Sequence, residues 1–104
     1  MKITVIQKTL TNPDEVNAAG RWDVAKYEMR EVAVTSIHPT AEFCDISDIL
    51  EHAYFKTQHI DKPWFEDSFW ASACKDVRST MVGDQIVVND AVYEIEGIGF
   101  RKVA

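Results

Sequence analysis

The sequence predicts an α+β domain: a small antiparallel β-sheet of roughly three to five strands, one main amphipathic helix at about 45–58 packed across it, and a C-terminal β-hairpin. Three observations carry this. The first ten residues alternate with a period of two. Apolar residues between 46 and 57 recur with helical spacing. The last third holds two β-branched runs around an Asn-Asp pair.

In the first run Ile3, Val5 and Gln7 face one way and Lys2, Thr4, Ile6 and Lys8 the other, as in a strand. Thr11-Asn12-Pro13-Asp14-Glu15 is a turn and a helix start: Asn12 is a candidate cap, Pro13 suits the first helical position, and two carboxylates suit the positive helix end. Gly20 ends that helix within two turns. Residues 21–38 are ambiguous. Trp22, Val24, Tyr27 and Met29 fit either a helix or a strand, but the run Val32-Ala33-Val34-Thr35-Ser36-Ile37 favours a strand. His38-Pro39 ends it, because a residue before proline avoids helical angles.

The main helix has Ile46, Ile49, Leu50, Ala53, Tyr54 and Thr57 on one face, with Asp45 or Ser47 as its cap. Pro63 opens a short helix in the segment 61–73, which carries Trp64, Phe65, Phe69 and Trp70. After it, Gln85-Ile86-Val87-Val88 and Ala91-Val92-Tyr93-Glu94-Ile95 flank Asn89-Asp90, a pair that tolerates the positive φ of a tight turn. Gly97 and Gly99 suggest a bulge or bend, and Phe100-Arg101-Lys102-Val103 a last strand. The N-terminal strand is expected to join the C-terminal hairpin.

At 104 residues, 46% hydrophobic and without repeat or linker, the chain is expected to be one domain, 1–104. Eleven basic against 17 acidic residues leave a net charge of -6, which predicts no general attraction to nucleic acid or anionic membrane. No apolar run is long enough to span a bilayer, and Met-Lys-Ile-Thr-Val-Ile-Gln turns polar too soon for a signal peptide. The expected location is the cytoplasm.

Candidate chemistry is sparse. His38, His52, His59, Cys44 and Cys74 form no CxxC, HxxxH or HExxH spacing, so no metal and no cofactor are expected. A Cys44–Cys74 disulfide would be unusual in a reducing compartment. No motif joins either cysteine to His52 as nucleophile and base, so no enzyme is expected. The carboxylate pairs Asp45/Asp48, Glu66/Asp67 and Glu94/Glu96 fit capping and solubility. Arg21, Arg30, Arg78, Arg101 and Lys102 are not interleaved with aromatics as in a nucleic-acid groove.

The aromatic segment is the best candidate for binding. Its residues either plug the core or, because one short helix cannot hide four aromatics on one face, leave a tryptophan at the surface. The second alternative assigns a protein-binding surface to Trp64, Trp70, Glu66 and Asp67, with Asp48 and Glu51 of the neighbouring helix.

The stretch Val77-Arg78-Ser79-Thr80-Met81-Val82-Gly83-Asp84-Gln85-Ile86-Val87-Val88, followed by Ala91-Val92-Tyr93-Glu94-Ile95 and Gly97-Ile98-Gly99-Phe100, resembles the YodL-like domain of small phage and plasmid proteins. The helix from Asp45 to Tyr54 resembles that family's upstream helix, and the likeness covers about residues 43–103. Thr80-Met81 and Ile95-Glu96 depart from its usual pattern. Physically, Ser79, Thr80, Gly83 and Asp84 suit turn formation rather than catalysis. The resemblance implies an accessory protein of a phage or mobile element. The expected function is to bind a host protein or complex, as monomer or homodimer, for example to inhibit a host defence system of the restriction or CRISPR kind. The alternatives are a phage structural or assembly component and a small PUA-like RNA-binding module.

Overall fold

The computed structural model describes residues 1–38, 45–60 and 62–104. The domain is α+β, as expected, with six strands among the described residues rather than at most five. They are β1 (Lys2–Leu10), β2 (Tyr27–Ser36), β3 (Ser72–Ala73), β4 (Gln85–Val88), β5 (Ala91–Ile95) and β6 (Phe100–Lys102). They form one antiparallel sheet in the order β3-β2-β1-β4-β5-β6. The N-terminal strand does join the C-terminal hairpin: β1 is central, between β2 and β4.

The core lies on the face of β1 that presents Ile3 and Val5. In register beside them stand Thr35 and Ala33 of β2 and Val88 and Ile86 of β4. Helix α2 (Ile46–Phe55) contributes Ile49, Leu50 and Ala53 to the same cluster, as its apolar stripe requires. Asp45 caps it by accepting the Ser47 N–H at 2.8 Å. It stops short of the expected 58 because the Thr57 hydroxyl donates to the Ala53 and Tyr54 carbonyls, groups a longer helix would bond through its backbone.

Helix α1 (Pro13–Ala19) begins at the expected proline and ends at Gly20 with φ 69°. Asn12 is not a side-chain cap. Its amide instead donates to the Val24 carbonyl and accepts the Lys26 N–H, closing the loop that leads into β2. The ambiguous segment is resolved by these bonds: residues 20–26 form turns and the strand starts at Tyr27. Asn89 takes φ 54° in the β4–β5 turn. Gly99, at φ 75°, lies in a tight turn between β5 and β6, where the Glu96 N–H donates to the Gly99 carbonyl. The irregularity of register is elsewhere, between Val5 and Ile6 of β1 against β2. The molecule is elongated, 51 × 29 × 21 Å.

Candidate interaction surface

Three of the six residues expected at a protein-binding surface are exposed: Asp48 and Glu51 on α2, and Glu66. Asp67 is half-buried, 3.3 Å from the Lys56 ammonium. Its pKa is lowered, first by the hydrogen bond from the Phe69 N–H and further by Lys56. Trp64 and Trp70, 2% and 6% exposed, do not reach the surface. This corrects the alternative that put one of them there. That alternative assumed a helix through residue 70, which would send the two rings to opposite sides. The helical turn is a 3₁₀ turn of three residues, Trp64–Glu66. The chain then extends at Asp67, and the two indoles meet edge to face with centroids 6.0 Å apart. Each N–H is satisfied, Trp64 Nε1 by the Arg78 carbonyl at 2.8 Å and Trp70 Nε1 by the Lys56 carbonyl at 2.9 Å.

The turn of the quoted motif is a buried polar knot. Asp84 is fully buried and receives two hydrogen bonds from the Arg78 guanidinium, at 2.6 and 2.9 Å. It also accepts the Lys8 and Met81 N–H groups, each at 2.8 Å. Arg78 donates further to the Lys8 carbonyl at 2.7 Å. Its pKa is raised chiefly by the hydrogen bond to Asp84, against partial burial. Buried Gln7 donates to the Arg78 carbonyl and the Thr80 hydroxyl. These bonds tie β1 to the 78–84 segment, with both Asp84 carboxylate oxygens engaged.

A concavity of about 680 Å³ is lined in part by His59, Phe65, Asp76 and Arg78. Both nitrogens of His59 are in use. Nδ1 accepts the Trp64 N–H at 3.2 Å, so Nε2 carries the hydrogen and donates to the Val77 carbonyl at 3.0 Å. This histidine holds the 3₁₀ turn to the 77–80 segment. His52, in α2, sets its ring edge against Phe69 with centroids 5.0 Å apart. Its pKa is lowered, first by burial and then by Lys56. The helix ends between these two histidines. Cys74 is a free, half-buried thiol, while Cys44 lies outside the described residues. Among the described residues no three His, Cys, Asp or Glu side chains converge as a metal site would need, and no helix is long and apolar enough to cross a membrane.

A different surface brings four exposed apolar side chains together. Trp22 is 69% exposed, Val82 56%, Met81 52% and Tyr27 48%. These four, with Leu10, the cation Lys8 and the Arg78–Asp84 ion pair, line a groove of about 390 Å³. The Lys8 ammonium stands 5.0 Å from the centre of the Tyr27 ring. Turn geometry presents these groups. The Asp84 N–H bonds the Met81 carbonyl, which makes Val82 and Gly83 the middle of a turn. Gly83 has φ 96°, the positive angle that position accepts. The tight bond forces Val82 to the tip. Trp22 follows the αL glycine that ends α1. The signal was present in the sequence, as large apolar residues at turn positions, where solubility alone would favour polar ones.

No family model, no characterised protein and no solved structure matches this chain.

Proposed function

We propose that this chain is a non-catalytic binding protein whose contact centre is the groove bordered by Trp22, Tyr27, Met81 and Val82. The observation that carries the reading is the exposure of Trp22 beside two apolar turn residues and two cations. A mostly exposed tryptophan among apolar and cationic neighbours is the kind of side chain that anchors a protein contact. The resemblance of residues 43–103 to the YodL-like domain supports an accessory role in a phage or mobile element, with a host protein as partner. The carboxylates Asp48, Glu51 and Glu66 lend the rest of the surface a negative potential suited to a partner site that otherwise holds nucleic acid.

The test is capture of partners from host lysate at physiological salt by the tagged wild type and by Trp22→Ala. The expected result is one complex recovered in stoichiometric amount by the wild type and lost with Trp22→Ala. Equal recovery by both would remove the groove from the interface. Recovery of nothing by either would overturn the host-protein reading and direct attention to purified virions.

A further inference from the structure

Strand β2 has ten residues, but β3 covers only Ala33 and Val34 on its outer side. Beyond them the Cys74 N–H bonds the Val32 carbonyl at 2.7 Å. At the other end of β2, the Lys26 N–H and carbonyl face the β1 side, where Asn12 and Thr11 take them. From Tyr27 to the Cys74 bond the strand offers Tyr27-Glu28-Met29-Arg30-Glu31, all exposed. Among the described residues no strand pairs with their outer edge. The Cys74 thiol stands at one end of it, 3.8 Å from the Arg30 guanidinium and from the Glu31 carbonyl, a weak contact in both cases. An open edge of this length is a template for another strand.

We propose that this edge pairs with the same edge of a second copy of the chain, antiparallel and centred on Met29. The side chains select both the occupant and the register. A two-fold axis through an antiparallel pair places a residue opposite its own copy. Centred on Glu28 it sets two carboxylates face to face, and centred on Arg30 two guanidiniums, both unfavourable. Centred on Met29 it sets Glu28 opposite Arg30 of the second copy twice over, on the face that these two residues share. Among the described residues neither forms an ion pair within its own chain. The opposite face receives Met29 against its copy and Tyr27 against Glu31. In this register Tyr27 meets Glu31 at each end, and the pairing stops there, because Lys26 would next face Val32, whose carbonyl already holds the Cys74 N–H. Two six-stranded sheets become one continuous sheet.

Sedimentation equilibrium of the full chain tests this with four proteins: wild type, Glu28→Arg, Arg30→Glu, and the double variant Glu28→Arg/Arg30→Glu. Each single reversal turns two attractive cross-strand pairs into two repulsive ones, and is expected to weaken dimerisation roughly tenfold or more. The double variant restores both pairs with sign exchanged and is expected to dimerise within about threefold of wild type. Circular dichroism serves to confirm that all four are folded, as is expected for substitutions at exposed positions. A wild type that stays monomeric up to about 1 mM would overturn the proposal. So would a double variant that associates as weakly as the single ones.

Discussion

The two ends of the molecule use the same residue types in opposite ways. At the helix-covered end, Trp64 and Trp70 are buried edge to face and every buried polar side chain is satisfied. At the other end, where β1 and β2 run out toward α1, Trp22, Tyr27 and Met29 stand largely in water. The difference lies in what opposes the sheet. Ile3 and Val5 have α2 and the 3₁₀ segment packed over them. Tyr27 and Met29, which share a face with Lys8 and Leu10 in the β1–β2 register, belong to no such cluster. An aromatic side chain is therefore evidence for a binding surface only once its local backbone is known. Helical continuation would have separated the indoles at 64 and 70, and extension at Asp67 brought them together.

Substitutions at the two ends should differ sharply. The largest effect is expected for Trp70→Ala, which leaves a cavity beside Trp64 and frees the Lys56 carbonyl. A loss of about 3–5 kcal/mol in urea unfolding is expected, enough to unfold a marginal domain. A loss below about 1 kcal/mol would mean that the ring is not in the core. Asp84→Ala is expected next, at about 3 kcal/mol. It deprives two backbone N–H groups of their acceptor and leaves Arg78 without its carboxylate. Arg78 is partly exposed and can regain water, which keeps this cost below that of a fully buried pair.

Trp22→Ala should change stability by no more than about 0.5 kcal/mol, because its ring supports nothing in the core. Its effect should appear only in partner capture. A Trp22 variant that unfolds at much lower urea would join the two ends into one packing unit and end the contrast.

The smallest effect is a pH dependence confined to the helix-covered end. His52 has a folded-state pKa below its ordinary 6.5, first because of burial. The unfolded chain therefore takes up the proton first, and stability should fall as pH drops below about 6.5 toward the folded value. Asp67 has a folded-state pKa below 3.8, so its contribution is present above that value and is lost at lower pH as the folded carboxylate protonates. His52→Gln should remove the upper of these two declines in a pH series of unfolding curves and leave the lower one.

Much of the fold was legible because it rested on local rules. The period-two run at Ile3 and Val5, the helical stripe from Ile46, the glycine that ends α1 and the Asn89-Asp90 turn each follow from backbone preferences that few contacts override. The Gly83-Asp84 pair was legible as turn chemistry, but its burial was not. That depends on Arg78, Lys8 and Gln7 arriving from distant positions. The role of Asn12 was misjudged for the same reason: its partners, Val24 and Lys26, lie across a loop that shows no periodicity. The candidate surface was the least legible. Exposure of Trp22, Met81 and Val82 follows from turn positions that were identified only in part, while the aromatic-rich segment 63–70 drew attention to rings that the core absorbs.

We propose that the exposed groove, and not the buried aromatic pair, is where this protein meets its partner. This is tested most directly by quantitative capture from host lysate with two folded variants, Trp22→Ala in the groove and Glu66→Ala beside the 3₁₀ turn. Trp22→Ala is expected to lose the captured complex while Glu66→Ala retains most of it. Retention by Trp22→Ala with loss by Glu66→Ala would contradict it and return the interface to the aromatic segment's outer rim.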